Sequence, residues 1–340
     1  MYKKMCIFDL DGTLNLRDHR LSVEIIKLSK MGVDFIVSTG RSNSYVINTF
    51  KNNGIIPPRN IIADNGGSIY DTRKKEFLRK TLLSTDKRKA LINEFFRLGG
   101  KAEDIRFSDG NTLYVADDDL VKKYYANDSV IYYPSGDLVN ELLSKDVDVI
   151  KITLAARRGL LRDLVRFARE NRIPCFTDAG KTAFPIKERE NYRLDITDSE
   201  MSKGEGVKFL VEHLGIRRFV CVGNGLNDFS MFKYAMDTGN KVLVVSNYEN
   251  GTMSKESEEL IEKTGEYARQ TGKSDCLIFT TYPANGQVGL MEEQEHNREI
   301  ERARISQLRH IKDRKRPNVD TKKGSIVLVK ANRRREERER

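Results

Sequence analysis

Met5-Cys6-Ile7-Phe8-Asp9-Leu10-Asp11-Gly12-Thr13 sets a short apolar run against an abrupt polar turn. That is the profile of a buried strand whose carboxyl end spills into a loop. Moving outward, Ser22 is placed to cap a helix carrying Ile25, Ile26 and Leu28, and Gly32 stops it before the strand-like Val33-Asp34-Phe35-Ile36-Val37. A second helical stretch through Val46, Ile47 and Phe50 ends at Asn53-Gly54, and Ile61-Ile62-Ala63 follows as a third strand. The pattern resumes late in the chain. Val207, Leu210, Val211 and Leu214 share one helical face, Gly215 ends it, Phe219 to Val222 form a strand, a helix with Phe229, Phe232 and Ala235 follows, and Val242 to Val245 form another strand. Such alternation predicts an α/β fold with a parallel, helix-covered sheet. Between the two blocks, charged helical stretches such as Lys87 to Leu98 mix with strand-like runs such as Val147 to Thr153. A connection of that length is uncommon in one compact domain, so it reads as an inserted α+β domain. The expected organisation is a core in residues 1–71 and 192–290, an insertion in 72–191, and a basic, charged tail, disordered or helical, in 291–340.

Composition narrows the function classes. The chain has 340 residues, 39% hydrophobic and 32% charged, which suits a globular protein and excludes a fibrous repeat. No run approaches the roughly 20 apolar residues that cross a bilayer, and Met1-Tyr2-Lys3-Lys4 leads into only a short apolar stretch interrupted by Asp9, so neither export nor membrane insertion is expected. Cys6, Cys175, Cys221 and Cys276 stand far apart, which fits reduced thiols better than a disulfide framework or a zinc site. The expectation is a cytoplasmic protein without membrane contact, where the sequons at Asn127 and Asn250 carry no meaning. The net charge is +10, and residues 291–340 hold 16 Lys+Arg against 10 Asp+Glu, so the tail accounts for +6 of it. Arg314-Lys315-Arg316 and Arg333-Arg334-Arg335 could meet nucleic acid or another polyanion, but the interspersed glutamates break up any uniform basic stripe.

Open parallel sheets gather their loops beyond the carboxyl ends of the strands. Four such segments carry reactive groups: Asp9 and Asp11, Ser38-Thr39-Gly40-Arg41, Lys203 at a helix start, and Asn224 with Asn227 and Asp228. The set suits phosphoryl transfer. One carboxylate attacks while the other moves a proton, a hard cation such as Mg²⁺ relieves the repulsion between carboxylates and phosphate, and Lys203 and Thr39 address the phosphoryl oxygens. Rival motifs fail on spacing. Gly12 stands at the fourth position of a would-be EF-hand loop, where the sixth is needed, and Gly180-Lys181-Thr182 and Gly272-Lys273-Ser274 lack the first glycine of a nucleotide cradle. Gly223-Asn224-Gly225 lacks the third glycine of a dinucleotide fingerprint, and the four histidines show no metal-ligand spacing.

Phe8-Asp9-Leu10-Asp11-Gly12-Thr13-Leu14 resembles the first signature of the haloacid dehalogenase superfamily in its phosphatase form. Ser38-Thr39-Gly40-Arg41 resembles the second, Met201-Ser202-Lys203-Gly204 the third, and Gly223 to Asp228 the fourth. The long insertion, with Asn65-Gly66-Gly67 before it and Leu194 to Thr197 near its end, is similar to the Cof-type branch with a C2B cap on a Rossmann-like core. Val245-Ser246-Asn247 and Ala284 to Leu290 more weakly resemble sucrose-phosphate and mannosylphosphoglycerate phosphatases. The resemblance implies Asp9 as nucleophile, Asp11 as general acid and base, and Thr39, Gly40, Arg41, Lys203 and Asn227 around phosphate and substrate. It implies Mg²⁺ on Asp9, Asp11, Asn224 and Asp228. The family usually has Asp where this chain has Asn224, so weakened metal affinity is expected. The implied activity is a Mg²⁺-dependent phosphomonoesterase acting through an aspartyl-phosphate on a small phosphorylated metabolite, a sugar or polyol phosphate. The alternatives are a phosphomutase or phosphotransferase of the same fold, or a catalytically weak binding protein with a polyanion-binding tail. Within the insertion, Lys151, Asp178 and Lys181 are candidates for substrate selection, with solvated or structural roles as the alternative.

Overall fold

The computed structural model describes residues 4–14, 25, 34–116, 128–173, 175–181, 192–246, 248–249 and 252–281. The first expected helix, apart from Ile25, the segment 284–290 and the tail lie outside the described residues, as do the side chains of Asp178 and Lys181.

In chain order the elements begin with β1 (Lys4–Phe8), β2 (Phe35–Ser38), α1 (Asn43–Asn52), β3 (Asn60–Ala63), β4 (Ser68–Asp71) and β5 (Glu76–Lys80). There follow α2 (Thr85–Arg97), β6 (Ile105–Ser108), β7 (Thr112–Ala116), β8 (Ser129–Tyr133), α3 (Ser135–Leu143), β9 (Lys151–Ala156), α4 (Arg158–Glu170), β10 (Cys175–Lys181) and β11 (Tyr192–Asp198). The chain continues through α5 (Lys203–His213), β12 (Arg218–Gly223), α6 (Phe229–Asp237), β13 (Lys241–Ser246), the short ribbon β14 (Tyr248–Glu249) and β15 (Thr252–Met253), α7 (Lys255–Gln270) and β16 (Leu277–Thr281).

Two sheets organise these elements. The larger has eight strands in the order β16-β13-β12-β1-β2-β3-β4-β5. Its first six are mutually parallel, and β4 and β5 extend it antiparallel. Side-chain alternation sends Phe35, Val37, Ile61 and Ala63 to one face, where they pack with Tyr45, Val46 and Phe50 of α1. Ile36 and Ile62 go to the other, with Val207 and Leu210 of α5, Phe232 of α6 and Leu260 of α7. Helices on both faces leave β2 and β3 buried at every position, which accounts for their apolar runs, whereas the edge strand β16 exposes Ile278 and Phe279. β1 lies at the centre between β12 and β2, so Asp9, Thr39, Asp64 and Asn224 all leave the sheet at the same edge.

The smaller sheet has six strands in the order β10-β11-β9-β6-β7-β8. One face of it, with Phe107, Ile152, Leu154, Leu194 and Ile196, packs against α2, α3 and α4. The other carries Arg106, Lys151, Thr153, Arg193 and Asp195; Lys151 and Thr153 sit two apart on β9 and Arg193 and Asp195 on β11, with Arg106, Thr153 and Asp195 in register across the three strands. The sheets exchange chain later at both crossings than the expected boundaries at 71/72 and 191/192. β5 keeps the larger sheet going to Lys80, and β11 belongs to the smaller sheet up to Asp198. The alternation of β11, Arg193-Leu194-Asp195-Ile196-Thr197, is that of a strand with one polar and one apolar face, unlike the continuously apolar core strands.

Candidate active site

Asp9 immediately follows β1, and its N–H donates to the Val222 carbonyl at 2.8 Å, which ties the first loop to β12. Lys203 is the first residue of α5, whose Ser202 cap accepts the Glu205 N–H at 3.1 Å. The lysine is pressed toward the strand edge because Gly66, with φ of 95°, lets the chain after β3 lie against the Ser202 carbonyl; a Cβ there would sit 2.1 Å from that oxygen. Its ammonium donates to Asp9 Oδ1 and to Asp228 Oδ1, both at 2.6 Å, and all three residues are buried. The other oxygen of Asp228 accepts the N–H groups of Asn224 and Gly225, each at 2.9 Å. The sequence therefore brings three of its four signatures onto one ammonium.

Electrostatics follow from this packing. Burial pushes the Asp9 carboxyl up to about 7, a rise that Lys203 opposes and Asp228 and Asp11 reinforce. Burial alone would depress the Lys203 ammonium, but the carboxylates of Asp228 and Asp9 hold it above its ordinary value and therefore charged. Asp11 experiences the same desolvation, yet Arg41, with help from Lys203 and Arg193, keeps it below the usual carboxylate range. Arg41 Nε donates to Asp11 Oδ2 at 2.8 Å while its guanidinium lies over the Tyr45 ring, 4.7 Å from the centroid.

The loop after β2 completes the group. Thr39 is buried, its N–H donates to Ile62 O at 2.8 Å, and its hydroxyl oxygen accepts the Arg41 N–H at 3.2 Å. Asn227 donates from Nδ2 to Asn65 Oδ1 at 3.3 Å, and the Asn65 N–H donates to Thr39 O at 3.0 Å. The expected residues Asp9, Asp11, Thr39, Gly40, Arg41, Lys203, Asn224, Asn227 and Asp228 thus lie around one edge of the larger sheet. Their detailed pairing holds two surprises for a reading by motif: Arg41 binds Asp11, and Asn227 binds Asn65. The sequence candidates omit Asp64, although it follows β3 as Asp9 follows β1; that position at the strand's carboxyl edge is the signal that marks it. They also omit Thr13, whose hydroxyl donates to Asn224 Oδ1 at 2.9 Å and draws the fourth loop against the first.

Among the described residues no three His, Cys, Asp or Glu side chains are grouped to hold a metal ion. The oxygens of Asp9, of the Asn224 amide and of the Asp11 main chain are hard donors of the kind Mg²⁺ takes, so the set fits such a cation by donor type. Asp228, by contrast, has both oxygens committed to Lys203 and the loop N–H groups and is 0% exposed, an arrangement that suits an anchor more than a ligand.

Comparison with known proteins places the fold. A family model described as haloacid dehalogenase-like hydrolase matches residues 6–247. The chain is 23% identical over 242 residues to the chloroplastic endoribonuclease YBEY of Arabidopsis thaliana, covering 67% of this chain and 39% of that protein. It is 34% identical over 84 residues to a putative phosphatase of Mycoplasma pneumoniae, covering 22% of this chain and 29% of that one, so it spans well under half the length of either relative. Among solved structures, a Thermotoga maritima protein superposes with a TM-score of 0.59 at 20% identity, covering 84% of this chain and 94% of the other. A sugar phosphatase of haloacid dehalogenase subclass IIB superposes with a TM-score of 0.55 at 17% identity, covering 79% and 99%. With the family model spanning most of the chain and all four signatures gathered at one strand edge, the protein belongs to the haloacid dehalogenase-like hydrolase family.

Proposed function

We propose that the protein is a phosphomonoesterase acting on a small phosphorylated metabolite of the sugar or polyol class. The observation that carries this reading is the Lys203 ammonium held 2.6 Å from both Asp9 and Asp228 at the head of β1. It is a fixed positive charge beside a carboxylate that needs only a phosphoryl group in front of it. An Asp9 oxygen attacks phosphorus, the bond from phosphorus to the ester oxygen breaks, and Asp11 gives its proton to the departing oxygen. Asp11 then takes a proton from water as that water attacks the aspartyl-phosphate, returning Asp9 and releasing phosphate. Thr39 and Lys203 hold the phosphoryl oxygens throughout. Asp9, the Asp11 carbonyl and Asn224 would hold Mg²⁺, which supplies charge neutralisation between carboxylate and phosphate. Arg41, by holding Asp11 ionised, must let go as the substrate arrives for Asp11 to act as an acid.

The substrate class is supported by the polar face of the smaller sheet. Lys151 on that face reaches Gly40, and Arg193 acts on Asp11, so this face lies over the site. There Thr153 donates to Asp195 at 2.7 Å and Arg193 lies 3.5 Å from the same carboxylate, a polar row suited to hydroxyl groups. The sugar phosphatase among the structural neighbours points the same way. Phosphate release from an aryl phosphate and from a panel of sugar and polyol phosphates, with and without Mg²⁺ and beside Asp9→Asn, tests the reading. Equal release by wild type and Asp9→Asn refutes it, and transfer to a sugar hydroxyl with no free phosphate would make the enzyme a phosphotransferase.

A further inference from the structure

Lys151 opens β9 in the smaller sheet, yet it is bonded to the core. Its ammonium donates to the main-chain oxygen of Gly40 and lies 3.2 Å from Asp64 Oδ1, with Lys151 7% exposed and Asp64 0%. The Gly40 carbonyl and the Arg41 N–H belong to one planar peptide unit and point in opposite directions. Lys151 grips the carbonyl end, and the N–H end donates to Thr39 Oγ1 at 3.2 Å. We infer that Lys151 is a positioning residue: through the rigid Gly40–Arg41 peptide it aims the Thr39 hydroxyl at the phosphoryl group, so the phosphate loop is assembled only while the smaller sheet is seated on the core. The role given to Thr39 rests on the phosphatase reading above.

Neighbouring contacts make the same loop a joint property of the two sheets. Ser42 Oγ donates to Asp128 Oδ1 at 2.6 Å, the Ser129 N–H donates to Ser44 Oγ at 3.1 Å, and Asn43 donates to Gly110 O from its N–H at 3.0 Å and its amide at 2.8 Å. Gly67 lets Ile150 approach to where a Cβ would meet its methyl at 2.4 Å, which brings the adjoining Lys151 within reach. Asp64 in turn accepts from Ser68 Oγ at 3.3 Å, so lifting Lys151 away leaves a buried carboxylate without its cation. Binding at the loop and seating of the smaller sheet must then favour one another reciprocally. An ammonium occupied in this way aims a loop; it does not select between substrates.

The test uses the full chain with Lys151→Met, which keeps the stem, and Asp64→Asn, which keeps the size of the partner and is read in the same way if the first variant fails to fold. Turnover is measured on an aryl phosphate and a polyol phosphate, and amide hydrogen exchange is followed over residues 39–44. The expected result is a fall in kcat of about tenfold or more on both esters alike, with KM moving less than about threefold, and faster exchange in the loop. A loss confined to one ester overturns the inference, because it makes Lys151 a substrate contact. Unchanged kcat on both esters, or unchanged exchange in the loop, overturns it as well. Should wild type hydrolyse neither ester, the phosphatase reading fails by itself. The exchange data then decide the clamp alone: faster exchange upholds it and unchanged exchange refutes it.

Discussion

The two halves of the site are built on different supports. Asp9, Lys203 and Asp228 come from β1, α5 and the turn before α6, all packed on the larger sheet, and they are held by charge at 2.6 Å. The loop from Thr39 to Ser44 also leaves the larger sheet, but it is bonded at Gly40, Ser42, Asn43 and Ser44 to residues between 110 and 151, in and beside the smaller sheet. The first half carries its own counter-charge. The second depends on a partner surface, so a change in how the smaller sheet sits reaches the Thr39–Ser44 loop before it reaches Asp9.

This contrast can be broken from either side. Asp9→Asn removes the oxygen proposed to attack and should lower phosphate release by about 10⁴ or more in a steady-state assay, while leaving exchange of residues 39–44 as in wild type. Lys203→Met leaves Asp9 and Asp228 facing each other with no cation between them. It should lower stability by about 3 to 5 kcal/mol in urea unfolding, the penalty for breaking a buried pair, and reduce turnover with it. Asn224→Asp adds an anionic oxygen beside the first loop. Isothermal titration should show Mg²⁺ binding about tenfold tighter, and an unchanged titration would place residue 224 outside the ligand set.

The smallest expected effect concerns pH. In the cation-free protein Asp9 titrates near 7 when folded, above its ordinary carboxylate value. The folded state therefore holds a proton that the unfolded chain releases, and stability falls as pH rises from about 4 to about 7, then levels off. Asp9→Asn lacks this penalty. Its melting temperature should exceed that of wild type by a few degrees at pH 8 and by less at pH 4.5. The opposite trend would show that Lys203 stabilises the ionised carboxylate more than burial opposes it.

Much of the core and its reactive groups is legible from sequence, because a buried parallel strand that stops at an acid or hydroxyl announces both its interior and its loop. Phe8-Asp9 and Ser38-Thr39 do this plainly, and Asp64 after Ala63 does so to a reader who applies the same rule a third time. The sheet exchange was harder to place. β11 alternates like a surface strand and continues without a break to Asp198, close to the α5 start, so only its pairing with β9 and β10 reveals where it belongs. The pairing of Arg41 with Asp11, of Asn227 with Asn65 and of Lys151 with Gly40 is set by side-chain reach across 30, 162 and 111 positions, which spacing along one strand does not encode.

One feature of the connectivity limits how the insertion can move. The chain leaves the larger sheet after Lys80 and enters α2 at Thr85, and it comes back from Asp198 to α5 at Lys203. Each tether is four residues, roughly 15 Å at full stretch, and the second is fastened directly to the helix that bears the central lysine. Any tilt of the smaller sheet therefore pulls on the first turn of the helix that begins at Lys203. The connection that carries the smaller sheet and the one that positions the central ammonium are thus the same four residues.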